Sequence, residues 1–292
     1  MTAIDLIRSG DIAGALAALQ DEVRKDPSDA KHRIFLFQLL SVKGDWNRAV
    51  TQLSLCGKMD ETALPMAQTY REAIGCELIR ERVFKGETAP LLFGEPQEWI
   101  ALLIQAIGVF GQGDLAAAAK IRAEAFDSAP TTSGKINDTA FDWIADADMR
   151  LGPVLELVMN GSYYWAPFNC IAKLEMEEPT DLRDRVWTPA MVTWANGGQV
   201  PVLIPTRYPG DLESWSDAHR LSRATDWVDA GEETFIGTGQ RIFATDVDDY
   251  PIMDIRTIEL DVEAPEPSEP AEPSEPAKDS DTSEAAAGSG DG

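Results

Sequence analysis

The chain has 292 residues, 44% of them hydrophobic, and carries 25 Lys and Arg against 50 Asp and Glu. That hydrophobic share is ordinary for a globular protein, and the length admits two domains. A net charge of −25 argues against nucleic acid and against an anionic membrane surface, which both need basic partners; it suits a basic protein partner and, more plainly, solubility.

From the N-terminus the chain reads as helices. Gly-Asp recurs at Gly10-Asp11, Gly44-Asp45 and Gly113-Asp114, with 34 residues between the first two copies and 69 between the second and third. Ala15, Ala49 and Ala118 each follow the glycine by five, and Pro27 and Pro130 follow it by 17. This is the tetratricopeptide period and punctuation: glycine turns the chain, a small alanine lets the next helix approach, and proline stops it. The pattern predicts hairpins over 4–25, turning at Gly10, and over 30–58, turning at Gly44. A long helix over 64–85 follows, then a loop over 86–96 holding Pro90, Gly94 and Pro96, then a last hairpin over 97–128.

After Pro130 the pattern changes. Residues 131–139 are polar and read as a loop, 141–150 as a helix, and 153–159 as a short helix with Pro153 in its first turn. Residues 172–176 alternate as a half-buried strand does, and 191–194 with 200–204 flank a hairpin signal at Ala195-Asn196-Gly197-Gly198, with Pro201 on an edge. Further strands are expected over 235–245 and 252–258. From Glu263 the chain is mainly Pro, Glu, Ser and Ala, with nine acids and one base, a charge of −8 that leaves −17 for residues 1–262. It has no large apolar residue to offset its ordering entropy. The expected organisation is a tetratricopeptide-like helical-hairpin superhelix over 1–130, a mostly antiparallel α+β domain over 131–262, and a disordered acidic tail over 263–292, with no βαβ alternation.

Chemistry is sparse. Cys56, Cys76 and Cys170 are few and scattered, which suits reduced, buried thiols. His32 and His219 are isolated, so neither is expected to ligate a metal. Asp142, Asp146 and Asp148 would lie along a helix, and Asp246, Asp248 and Asp249 in a turn. Such carboxylates can bind a divalent cation or transfer protons, but in so acidic a chain solvated faces are the simpler reading. The glycines of 231–240 lack the Lys-Ser/Thr of a phosphate loop. Asp5 interrupts the first apolar run, and no run reaches membrane-spanning length, so a cytoplasmic protein without cofactor or metal is expected.

Stacked helical hairpins leave a groove for another protein's peptide. Aligning the turns places Lys31, Ile34, Gln38 and Ser41 of one helix and Ile100, Leu103, Ile107 and Phe110 of another along it. The competing reading is that the α+β domain itself fills this groove. Arg207 and Tyr208, in a Trp-, Pro- and Gly-rich stretch, are an alternative interface, although core and turn geometry would also explain them.

Several uncommon strings carry a resemblance: Arg33-Ile-Phe-Leu-Phe-Gln-Leu-Leu, Phe93-Gly-Glu-Pro, Phe141-Asp-Trp-Ile-Ala-Asp-Ala-Asp, Asn160-Gly-Ser-Tyr-Tyr-Trp, Trp187-Thr-Pro-Ala, Trp194-Ala-Asn-Gly-Gly and Leu203-Ile-Pro-Thr-Arg-Tyr-Pro-Gly. Over roughly residues 1–258 the chain resembles the ImpE/TagJ (SciE-type) family of type VI secretion accessory proteins. The resemblance implies a cytoplasmic, non-enzymatic adaptor. Its implied partners are the N-terminal helix of the sheath small subunit TssB and, directly or indirectly, the sheath-recycling ATPase ClpV. No catalytic residue is carried over. The alternatives are a metal-dependent enzyme using Asp246, Asp248 or Asp249, and a general tetratricopeptide scaffold.

Overall fold

The computed structural model describes residues 1–263; the expectation of a disordered tail falls outside them, apart from Glu263. The first half is helical: α1 (Ala3–Ser9), α2 (Ile12–Lys25), α3 (Ala30–Lys43), α4 (Trp46–Met59), α5 (Leu64–Phe84), α6 (Glu98–Gly111) and α7 (Leu115–Ser128). Each Gly-Asp pair serves two helices. Gly10, Gly44 and Gly113 take left-handed backbones, with φ of 84°, 81° and 88°. The following Asp11, Asp45 and Asp114 cap the next helix by accepting from the N–H of Gly14, Arg48 and Ala117. Consecutive helices pack against one another throughout.

The loop between α5 and α6 contains a strand that its Pro and Gly content does not predict, β1 (Leu91–Leu92). The second half is β-rich: β2 (Gly134–Ile136), β3 (Thr139–Phe141), β4 (Ile144–Asp146), β5 (Val154–Met159), β6 (Ser162–Pro167), β7 (Ile171–Met176), β8 (Trp187–Trp194) and β9 (Gln199–Pro205). A short helix α8 (Asp217–Arg220) precedes β10 (Thr225–Asp229), β11 (Phe235–Gly239), β12 (Ile242–Thr245), β13 (Asp249–Pro251) and β14 (Thr257–Leu260). The main sheet runs β1-β6-β5-β9-β8-β7-β14-β2-β3, accompanied by a sheet β13-β12-β4 and a ribbon β10-β11. Every pairing is antiparallel except β1 with β6. The architecture is thus helical followed by α+β, as expected.

Several expectations are corrected. Residues 131–139 contain β2 and the start of β3. The predicted helix over 141–150 is instead the end of β3, β4 and a turn, and the predicted helix over 153–159 is β5. Buried along its whole length, β5 lacks the alternation that marks a strand. Pro201 lies on an interior strand, not an edge. It is tolerated because β9 outruns β5: their bridge is Val158 to Leu203, and the same register sets Pro201 opposite the β5–β6 turn.

One face of the main sheet packs Leu174, Val192, Val202 and Ile258 against Ile144, Phe243 and Ile252 from the smaller sheet and its flanks. On the other face Val154, Val158 and Trp165 meet Val83, Leu103 and Ile107 from the helices. Trp187, at the start of β8, is fully buried in the core of α1–α5. Its ring lies 5.6 Å from Tyr70 and 5.9 Å from Trp46, and its indole N–H donates to Glu77 at 3.0 Å.

Candidate functional site

Most of the predicted groove is closed by the chain's own β-rich half. Lys31 is exposed and Ile34 half-buried, but Gln38 and Ser41 are buried. The Gln38 side-chain oxygen accepts the Leu182 N–H at 3.2 Å, and the Ser41 carbonyl accepts from Arg207. Ile100, Leu103 and Ile107 are buried against Leu151, Val154 and Trp165, while Phe110 is half-buried. Trp187 and the Leu182–Arg185 turn fill the space beside α3 that a guest helix would need.

Arg207 and Tyr208 also face inward, 4% and 1% exposed, and cannot anchor a partner as they stand. Arg207 donates to the carbonyls of Val42, Ser41 and Arg220, satisfying the end of α3 and tying it to the loop after β9. Burial lowers its pKa to about 10. The Tyr208 hydroxyl donates to the Ile242 carbonyl and accepts its N–H, which holds the start of β12.

The acidic clusters separate into different roles. Asp146 and Asp148 are buried rather than solvated, and no helix joins them to Asp142. Asp148 holds Arg150, and Asp146 holds Arg241. Arg241 also reaches Glu156, which receives Arg80 from α5 and the Tyr163 hydroxyl. Burial would lower Arg241, but Asp146 and Glu156 outweigh it and hold the guanidinium charged. Asp246 accepts the N–H groups of Asp142 and Trp143, so it is used in turn geometry. Among the described residues no three His, Cys, Asp or Glu side chains converge as metal ligands, and no helix is long and apolar enough to cross a membrane. Cys56 and Cys76 are buried, and Cys170 is half-buried.

Two concavities among the described residues bear on binding. The larger, about 660 Å³, lies between α5 and the uncovered face of β7, β8 and β9. Pro189, Met191, Pro201 and Leu203 form an apolar floor, and Glu72, Glu175 and Glu177 stand around it. Glu175 is neutralised by Lys173 at 2.8 Å. The second, about 360 Å³, is what α1 and α3 leave open beside residues 179–185, with Ile7, Phe35, Leu182 and Leu221 inside and Arg8, Arg185 and Arg223 around it. Neither was legible locally, because their walls come from segments far apart in the chain.

The architecture is helical followed by α+β, and its buried carboxylates Asp146, Asp148 and Glu156 are paired with arginines inside it. A family profile described as "ImpE protein" matches residues 138–259. A relative from Pseudomonas aeruginosa, "Type VI secretion system accessory component TagJ", is 49% identical over 263 residues, 90% of this chain and 92% of that protein. The chain belongs to the ImpE/TagJ family. The crystal structure of protein VPA1032 from Vibrio parahaemolyticus superposes with a TM-score of 0.81 at 26% identity, covering 89% of this chain and 98% of that one.

Proposed function

We propose that the protein is a non-enzymatic adaptor of a bacterial type VI secretion system, working in the cytoplasm. The observation that carries this is the 49% identity to the accessory component TagJ over nearly the whole of both chains. The partners we assign are the N-terminal helix of the sheath small subunit TssB and, through it or directly, ClpV. The tetratricopeptide-like reading of the helical half, and its division from the α+β half at residue 130, belong to the same proposal; the repeating Gly-Asp turns support them.

Since the predicted groove is filled, the sheath helix is assigned to the cleft beside α5. An amphipathic helix is about 10 Å across, and the floor around Met191 and Leu203 suits its apolar face. The carboxylates around the floor favour basic residues on its flanks. Titrating a labelled TssB N-terminal peptide tests both parts. Saturable binding that Met191→Arg abolishes, with an unchanged melting curve, supports partner and cleft. Binding that Met191→Arg leaves intact moves the site, and absence of any binding removes the partner. Co-precipitation of ClpV with and without TssB separates a direct from a bridged link.

A further inference from the structure

The pocket between α1, α3 and residues 179–185 opposes the charge of the whole chain. Residues 1–262 carry −17, yet three arginines from three remote segments meet here: Arg8 from α1, Arg185 and Arg223. Among the described residues none of the three has a carboxylate oxygen within 4.0 Å. Among the described residues the acid lining the pocket is Asp181, which is held by Arg183.

The local geometry explains only part of this. Arg223 donates to the carbonyls of Ile7 at 2.9 Å and Arg8 at 3.2 Å, so it caps the end of α1, where the helix dipole favours its charge. Arg185 is half-buried, and the contact its guanidinium makes is to the Met253 thioether at 3.1 Å, a weak acceptor. Burial and the neighbouring Arg223 both depress the Arg185 pKa. Arg8 stands exposed at the lip and makes no ion pair among the described residues.

Between the arginines the floor is apolar. Ile7 and Leu221 are buried, Leu182 and Phe35 partly so, and Ile4 is 53% exposed beside them. A free phosphate has no use for such a floor, and a nucleic acid would be repelled by the surrounding negative surface. A peptide carrying both carboxylates and aliphatic side chains matches every part of it. We propose that this pocket docks an acidic, apolar segment of a partner protein, with an aliphatic side chain on Ile7, Phe35, Leu182 and Leu221 and carboxylates on Arg185 and Arg223. The site is separate from the cleft assigned to the sheath helix and opposite to it in charge, so the adaptor could hold two unlike partners at once.

The test is fluorescence anisotropy with a labelled 12-residue probe repeating Glu-Leu-Leu-Glu, alongside a Lys-Leu-Leu-Lys counterpart, on the full chain. The acidic probe is expected to saturate, to weaken as salt rises, and to lose at least tenfold in affinity with Arg185→Glu. Arg8→Glu, at an exposed position where folding is not at stake, should weaken it in the same direction, and Met191→Arg should leave it unchanged. Equal affinity in the wild type and Arg8→Glu overturns the proposal. So does binding that Met191→Arg abolishes, or full displacement by millimolar inorganic phosphate, which would reduce the pocket to a simple anion site.

Discussion

The guanidinium of Arg80 grips the carboxylate of Glu156 edge on, with Nε 2.6 Å from Oε1 and Nη2 2.8 Å from Oε2. Arg80 comes from α5 and Glu156 from β5, so this fork joins the helical half to the sheet. Both residues are buried, and the second carboxylate oxygen is shared with Arg241. A buried pair of this kind adds little net stability over an apolar substitute, but breaking it strands a charge.

Arg80→Ala is therefore expected to cost about 3–5 kcal/mol, because the Arg207 carbonyl and one side of Glu156 lose their donor together. Arg80→Met should cost less, since it refills the volume. Urea denaturation of both variants measures the difference, with Arg82→Ala at the exposed Arg82–Glu87 pair as a control that leaves the midpoint unmoved. If Arg80→Ala behaves like the control, the fork does not hold the halves together.

The same network sets the acid response. Burial alone would raise the Glu156 carboxyl; Arg80 and Arg241 outweigh it and bring it from the usual 4.5 down to about 2. Its contribution, on the order of 3 kcal/mol for a carboxyl held that low, is complete above pH 4.5 and lost as pH falls through about 2. Asp146 works in the opposite sense. Burial raises it from 3.8 to about 7 against the pull of Arg241, so its contribution declines as pH rises through that window. The two fit together because Glu156 keeps Arg241 paired when Asp146 holds a proton. Denaturation midpoints across the acid range up to neutrality should show a loss in the strongly acid range that Glu156→Gln reduces, and a decline toward neutrality that Asp146→Asn removes.

The turn glycines should not respond alike. Gly44 and Gly113 share a left-handed backbone, which costs a side chain about 1–2 kcal/mol. A Cβ on Gly44 would also meet Leu212 Cδ1 at 2.5 Å, whereas one on Gly113 meets open space. Gly44→Ala is expected to destabilise more than Gly113→Ala, and Gly44→Val more still. Equal losses would mean that Leu212 swings aside without cost.

Cutting the chain after Val262 should leave the melting midpoint and the affinity for the TssB peptide as they are. The removed residues are mainly Pro, Glu, Ser and Ala with no large apolar side chain. A midpoint lower by several degrees would show that the acidic tail supports the fold.

The helical half was legible almost residue by residue, because each Gly-Asp carries two local instructions, a left-handed turn and an N-cap. The β-rich half was legible only where strands alternate, as β7 does. In β5, Leu155, Leu157 and Met159 face one core while Val154 and Val158 face another, so Glu156 resembles a polar position on a helix. Its arginine partners lie 76 and 85 residues away, and no local pattern announces a carboxylate that will be buried. Asp146 and Asp148 read as solvated for the same reason. The pocket arginines carry no local signal either, because Arg8, Arg185 and Arg223 become neighbours only after folding.

Leu91 and Leu92, a two-residue strand supplied from between two helices, close the β6 edge of the main sheet. A chain begun at residue 131 would leave β6 as a bare hydrogen-bonding edge, open to pairing with another copy. A chain ended at residue 130 would lack Trp187 between its helices. Neither half could be shuffled into another gene as a free-standing cassette; recombination would have to carry both or break both.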